Sequence, residues 1–567
     1  MQQKTKSIRY LFTKILAFLL IGCLLYSCAN IVAPEGGIKD IIPPEIVKSD
    51  PPNFATSFSG KEIRIQFDEF IQLKDISKNL LISPPFDNPP DCRIKGRSLI
   101  IRFEDSLLKN TTYNLFFGDA IADLNEGNPL KGYRFVFSTG AALDSMQISG
   151  TVRDALTLES QKEVNILLYD KFEDSIPFKE KPKYVCRSQA NGNFIFENLG
   201  KGPYKMLALK EKNNNFMFDD KSEEIGFIDS LVVTDPMPAK CIDSIHNDSI
   251  PKIITDTAKL SIYLFKEKEN IIRIIKRQLI KSRHISLVFS DKTTNISFAP
   301  IDTKPLPPGT RLLHELNTGK DSLSLWVTGD SIPDSLSLKV SVNNRPPDTI
   351  AFDLRKFDKS SRVRKQDVKN KISFTANANS NFNLNDSIRI SFSYPLLNIV
   401  SDSIRLLADT VLVKPVISTD SVKRLVYIKT QWKENTKYHL YIPPSSLTDL
   451  TGHTNDSISL TLFTKQLKDY GTLTIHYEPE LKGNYILQLI NDRNKVEKEF
   501  CFKEKSTIDW TYLSTGKYKL RLVFDNNNNG VWDTGNYLKK QLPEKVRYFP
   551  REIEIRANWE LEEIWKF

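Results

Sequence analysis

The chain is short of cysteine, glycine, methionine and histidine, with 6, 23, 5 and 6 of them among 567 residues. Six cysteines, at 23, 28, 92, 186, 241 and 501, are too few for a disulfide framework of this length, and their separations fit no CxxC or zinc spacing. The histidines stand singly, so HExxH and HxH are both absent. There is also no GxSxG elbow, no P-loop and no GxGxxG after a strand. No carboxylate pair can be assigned to a common cleft. No catalytic residue is therefore assigned; the expectation is a non-enzyme that requires no cofactor. Single-sign charge is weak too, at 79 basic against 69 acidic residues. Lys4, Lys6, Arg9 and Lys14 account for much of that excess, and the remainder is dispersed, so nucleic acid is not an expected partner.

What the chain has is alternation. Hydrophobic residues make up 40% and aromatics 10%, enough for folded cores. At this length three to five domains are expected. Runs such as EIRIQF, SLIIRF, YRFVFS, NILLY, NFIFEN, KLSIYLF, SLSLWV, SIRISF, RLVYIK and YHLYI alternate with period two between Pro, Asn, Asp and Gly. Helical spacing is nearly absent, so an all-β chain of sandwiches follows. The segment ENIIRIIKRQLI at 269–280 reads equally as a helix or as a strand pair, given its β-branched content.

Residues 1–28 join a basic start to the apolar run Ile15 to Leu25, too short to span a bilayer comfortably. Leu25-Tyr26-Ser27-Cys28 resembles a bacterial lipobox, apart from the bulk of Tyr26. The resemblance implies a signal peptide over 1–27, acylation of Cys28 and a partner in outer-membrane lipid, with 28–42 as tether. Two or more acyl chains anchor stably where one does so marginally. An ordinary signal peptide with an incidental cysteine is the alternative. Ala29-Asn30-Ile31 lack both a retaining Asp and an acidic export cluster. The periplasmic face is therefore expected ahead of the cell surface. For the other cysteines, buried unpaired residues are expected, and Cys186–Cys241 is the best disulfide candidate.

The chain repeats itself. Residues 62–139 and 387–464 share a strand, an N-T-x-Y entry (Asn110, Thr111, Tyr113; Asn435, Thr436, Tyr438), a D-L turn and a closing strand ending in Thr. Both segments resemble the bacterial Ig-like domain first named from S-layer proteins. Residues 148–227 and 471–536 share a second skeleton in which Tyr204 aligns with Tyr518. Its ISGTV and GNFIFENLGKGPY stretches resemble the transthyretin-like sandwich of carboxypeptidase regulatory domains. The expected domains are Ig-like at 43–140 and 371–466, transthyretin-like at 145–236 and 470–567, and a sandwich of unclear type at 258–356. The arrangement resembles Ig-like-domain lipoproteins of Bacteroidota, a family named for its domains.

Asp525, Asn527, Asn529, Gly530 and Asp533 match positions 1, 3, 5, 6 and 9 of a calcium loop, with Asn536 where the bidentate Glu belongs. A weak structural calcium site or an Asx-rich hairpin turn would each explain the pattern. The aligned loop offers Glu211, Asn213, Asn215 and Asp219, with Phe216 in place of the Gly. Of the tryptophans, Trp326 and Trp432 are expected in sandwich cores, and Trp559 and Trp565 in the packing of the C-terminal strand. Asp-Ser/Thr-aliphatic triplets recur, at Ser106, Ser145, Ser175, Ser230, Ser244, Ser249, Ser331, Ser387, Ser403 and Ser457 and at Thr257, Thr349 and Thr410. The triplet is similar to the O-glycosylation motif of exported Bacteroidota proteins; it also opens a strand well. The functional expectation is a lipid-anchored scaffold, spacer or partner-binding platform for an envelope protein or glycan. A cell-surface adhesin or glycan-binding protein is the alternative.

Overall fold

The computed structural model describes residues 40–237 without 221, residues 371–567 without 481, and residues 260–354 except 269–271, 282, 294, 302–305, 330–332 and 344–345. Cys28, Cys241, Ser244, Ser249, Thr257 and Ser331 lie outside the described residues, as does the expected signal segment. Among the described residues each alternating run quoted above forms a strand; regular helix is confined to Ile76–Asn79 and three single turns. No described helix is long and apolar enough to cross a membrane. The chain divides between Ser145 and Met146 into two compact units.

In the first unit, Ile46–Asp50, Glu62–Phe67, Ser98–Arg102 and Asp91–Lys95 form one antiparallel sheet. Leu81–Ser83, Thr112–Phe116 and Arg134–Ser138 form another. Alternation decides which face is inside: in EIRIQF, Ile63, Ile65 and Phe67 are buried while Arg64 points out. They meet Leu99, Ile101, Tyr113, Leu115, Phe135 and Phe137 in a single core.

The second unit begins with the sandwich expected to be transthyretin-like, and here the expected boundary near 258 fails. Strand Leu260–Lys266 belongs to this sandwich rather than to the next one. It runs parallel to Met146–Asp154, with Gly150 opposite Leu260, and antiparallel to Glu224–Phe227. The last domain repeats the device: Glu560–Lys566 lies parallel to Tyr470–Glu478, with Thr472 opposite Glu560. An isolated alternating run carries no mark of the sheet it will join, so the sequence does not place Leu260–Lys266 on either side of this boundary.

The middle sandwich therefore consists of Ile274–Lys281, His284–Phe289, Ser322–Thr328 and Arg311–Leu316 facing Ile296–Pro300, Ser335–Val342 and Asp348–Asp353. Ile274–Lys281 resolves the helix-or-strand ambiguity in favour of a strand. The sandwich of the 387–464 repeat pairs Phe374–Ala376, Ile388–Phe392, Leu425–Lys429 and Val416–Thr419 in one sheet. Its other sheet holds Val411–Val413, Arg405–Ala408, Lys437–Ile442 and Ile458–Phe463.

The sequence repeats are repeats of hydrogen bonding. Tyr113 Oη accepts the Leu108 N–H at 2.8 Å, and Tyr438 Oη accepts the Lys433 N–H at 2.8 Å. Thr139 Oγ1 accepts the Thr111 N–H at 3.0 Å, as Thr464 Oγ1 does for Thr436. Asn110 and Asn435 both sit at φ 50°, a left-handed conformation that Asn tolerates. The D-L turns close alike: Asp123 accepts three backbone N–H groups, from Glu126, Gly127 and Asn128, and Asp449 accepts those of Thr451 and His453. In the other repeat, Tyr204 and Tyr518 each donate a 2.9 Å bond to the carbonyl four residues back.

Candidate functional site

The Asx-rich loops follow strands Pro203–Lys210 and Gly516–Phe524, at equivalent places in the two sandwiches that share the Tyr204/Tyr518 repeat. In the second loop, Asp525 accepts the N–H groups of Asn529 at 3.1 Å and Gly530 at 2.9 Å. The amides of Asn527 and Asn529 both donate to Asp533 Oδ2, at 2.5 and 2.6 Å. In the first loop, Glu211 accepts the Phe216 N–H at 2.9 Å, and Asn215 donates to Asp219 Oδ2 at 2.6 Å. Phe216, which stands where the calcium-loop pattern has Gly, takes φ 60° where Gly530 takes 74°. The side chain differs and the backbone path is kept, at the strain cost a bulky residue bears there.

Sequence reading missed the carboxylate that closes each loop. Position 12 of the second loop, Asn536, is a bridge partner of Gln541 instead. Glu544 closes that loop, accepting the N–H of Asn526 at 2.8 Å and of Asp533 at 3.0 Å. In the first loop Glu223 takes the same part, held by the N–H groups of Lys212 and Asp220. The signal was present as a Glu after each Asx run, hidden by unequal spacing. Burial is the main cause that pushes the Glu223 and Glu544 carboxyls above the ordinary carboxylate range. Among the described residues no three His, Cys, Asp or Glu side chains stand as a ready-made metal cage.

The second loop also holds two domains together. Lys268 forms an ion pair with Asp533, Thr534 Oγ1 donates to Lys266 O at 2.7 Å, and the Tyr537 N–H donates to Glu267 Oε1 at 2.6 Å. Tyr537, 3% exposed, lies between Phe178 and Phe227, at ring distances of 6.0 and 5.4 Å, with the Lys205 ammonium 5.4 Å from its ring. Tyr548 adds a bond to Leu156 O at 3.2 Å. The two sandwiches that carry these loops, far apart in sequence, are thus clasped.

A second seam joins the middle sandwich to the sandwich of the 387–464 repeat. Arg424 pairs with Glu315, Arg283 donates to Leu450 O at 3.1 Å, and Trp326 meets Tyr394 edge-on at 5.8 Å. His284 stacks on Trp326 at 3.7 Å and shares a 3.0 Å hydrogen bond with Ser324. Burial, with Lys281 and Arg424 nearby, pushes the His284 pKa down to about 4. The unfolded chain would protonate this imidazole near pH 6.5. As the pH falls from there to about 4, the unfolded state binds the proton first, so stability falls across that window and is fully present only above it. The opening free energy read by hydrogen exchange across His284–Phe289 at pH 7 and pH 4.5 should show this loss, and His284→Gln should flatten it. An unchanged slope in the variant would place the titration elsewhere.

The other predicted positions sort by burial. Trp326 and Trp565 are core residues, and Trp432 packs edge-on against Phe382 and Tyr438. Trp559 is not packed as expected: it is 57% exposed, with the Arg556 guanidinium 5.0 Å from its ring. Of the triplet serines, Ser106, Ser145, Ser230 and Ser457 are exposed, whereas Ser175, Ser387 and Ser403 are half-buried. The Ser403 hydroxyl is spent on Val400 O and Ser446 Oγ. A polar groove of about 570 Å³ opens beside Asn383, Asn385, Asp492, Arg493 and Tyr512.

Solved structures match the chain at 8–13% identity. A fragment of Escherichia coli alpha-2-macroglobulin is 9% identical at TM-score 0.16, covering 32% of this chain and 90% of that one. The major pilin subunit of Bacillus cereus is 9% identical at TM-score 0.14, with 74% and 98% covered. The S-layer protein SbsC is 9% identical at TM-score 0.13, with 90% and 67% covered. Scores this low carry no argument about arrangement or activity. No curated protein matches the chain. Residues 40–139, the segment whose sheets and N-T-x-Y corner are described above, match the family model of the bacterial Ig-like domain.

Proposed function

We propose that the chain is a lipid-anchored, non-enzymatic envelope protein, held to the outer membrane through acylated Cys28 and serving as a scaffold, spacer or partner-binding platform on the periplasmic face. The observation that carries this reading is the pair of seams. The Tyr537 clasp and the Arg424–Glu315 seam tie sandwiches together, and a body that keeps its domains in fixed register suits holding a partner at a set place. The reading also draws on the lipobox-like start. Among the described triplet positions, exposed Ser106, Ser145, Ser230, Ser457, Thr349 and Thr410 offer hydroxyls open to glycosylation. A second reading, glycan capture at the cell surface, draws on the groove beside Tyr512, where amides, charges and an aromatic edge converge.

Protease added to intact cells separates the two. Protection until lysis is the expected result and supports the periplasmic scaffold; cleavage on intact cells overturns that orientation in favour of surface capture. In the same cells Cys28→Ala should move the protein from the membrane pellet to the soluble fraction. A variant that stays in the pellet would overturn the anchor.

A further inference from the structure

The last sandwich and the sandwich of the 387–464 repeat meet at Tyr470. Its hydroxyl accepts the Leu384 N–H at 2.8 Å and donates to Asn383 Oδ1 at 3.4 Å, and its ring meets Tyr512 edge-on at 5.5 Å. These contacts hold the 383–385 loop beside the polar groove that Tyr512 lines. Tyr512 stands in a β-bulge: Gly471 lies opposite Leu513 and Leu473 opposite Trp510, so Thr511 and Tyr512 together face Thr472. The repeat places the same bulge at Glu197 and Asn198, where Met146 lies opposite Leu199 and Ile148 opposite Phe196. Both bulges turn through the left-handed region, Asn198 at φ 60° and Tyr512 at φ 56°. Asn tolerates that conformation, whereas it strains a bulky aromatic. The last sandwich thus bears strain that the sister bulge avoids, and what the strain secures is a ring, 39% exposed, on the groove wall.

The polar groups around that ring are uncommitted. The side chains of Asn385, Asp492, Arg493 and Thr515 line the groove and make no hydrogen bond or ion pair among the described residues. They offer an amide, a carboxylate, a guanidinium and a hydroxyl, with donors and acceptors side by side. Charge nearly cancels, with Arg493, Lys498 and Lys517 set against Asp492 and Glu497, which disfavours a polyanion. At about 570 Å³ the groove falls within the range of small-ligand sites, roughly 300–1,000 Å³. We infer that it is a subsite for a neutral oligosaccharide, with Tyr512 as the stacking platform and Asn385, Asp492, Arg493 and Thr515 as the hydrogen-bonding set. A sugar ring presents an apolar C–H face and a rim of hydroxyls that each donate and accept. Tyrosine supplies a rigid amphipathic surface for the face, and the mixed polar set suits the rim. The inference rests on the glycan-capture reading and gives it a place and a ligand charge.

Calorimetric titration of the full chain with neutral hexasaccharides of glucose, mannose, xylose and N-acetylglucosamine tests this, with polygalacturonate as the acidic comparison. Saturable binding of at least one neutral sugar is expected, and weaker binding of polygalacturonate. Tyr512→Asn matches the sister bulge, so circular dichroism should show the fold kept while binding weakens about tenfold or more. Asp492→Ala, at an exposed position, should weaken it similarly. Trp559→Ala, an exposed aromatic outside the groove lining, should leave binding within about twofold. Absence of saturable binding by every neutral sugar would overturn the subsite and glycan capture with it. Binding intact in both Tyr512→Asn and Asp492→Ala, or lost in Trp559→Ala instead, would overturn the subsite and leave glycan capture standing. Tighter binding of polygalacturonate, lost in Tyr512→Asn, would overturn the neutral class.

Discussion

Trp565→Ala should cost the last domain about 3–5 kcal/mol, the usual penalty for removing a buried large aromatic, while Trp559→Ala, six residues away, should cost under about 1 kcal/mol. Trp565 is 4% exposed and sits opposite Tyr477 on the closing parallel strand. Its ring meets Phe549 and Phe567 edge-on, at 5.4 Å from each, within the core that includes Leu473, Ile475, Leu487 and Leu520. Truncation would leave a cavity among rings that cannot all move inward, because several are fixed by strand register. Trp559 precedes that strand and touches water over most of its surface. Denaturation of a chain this size is not two-state, so the measurement should be local. Hydrogen exchange across Tyr470–Glu478 would report the opening free energy of the strand that Trp565 backs. Equal effects from the two tryptophans would mean that the closing strand is not seated as described.

Gly150→Val should loosen the sandwich that begins at Met146 by about 1–3 kcal/mol or more, through overpacking that cannot be relieved. A Cβ at Gly150 would stand 2.5 Å from the Leu260 carbonyl oxygen and 2.6 Å from the Phe194 ring. The carbonyl is backbone, so the strand itself must retreat. Gly471 holds the matching place in the last domain, 2.5 Å from the Ile555 side chain and 2.7 Å from the Arg556 oxygen. Gly202→Ala is the control: its nearest neighbours are the Tyr204 ring at 3.9 Å, and the change should stay within about 0.5 kcal/mol. Exchange across Leu260–Lys266 should rise in Gly150→Val and not in Gly202→Ala. If that strand stays protected in Gly150→Val, the parallel approach is looser than these contacts imply.

Legibility differed sharply between elements and sites. Strand identity was readable because alternation with period two is local, and a pattern such as EIRIQF can bury Ile63, Ile65 and Phe67 in only one way. The two kinds of repeat were readable because Tyr113 and Tyr438, like Tyr204 and Tyr518, carry the same hydrogen bond at the same spacing. Loop closure was not. Glu223 and Glu544 lie at different distances from their Asx runs, so a fixed-position motif passed over both. Nor did anything local mark Trp559 as exposed and Trp565 as buried, since both close the chain in the same aromatic and acidic stretch.

By itself the amino-acid sequence determined that this protein is a set of β-sandwiches of two repeated kinds, because alternation, turn residues and corner tyrosines act within a few residues of one another. Only the tertiary structure decided which sandwich claims the strand Leu260–Lys266, which pairs with residues more than a hundred positions earlier. The clasp was likewise decided there, where Tyr537 reaches Glu267. So was the balance of charge in the two loops, set by Lys268 in one and by an unpartnered Glu223 oxygen in the other. Pairing across such distances depends on surfaces that exist only once each sheet has formed, and no local pattern encodes them.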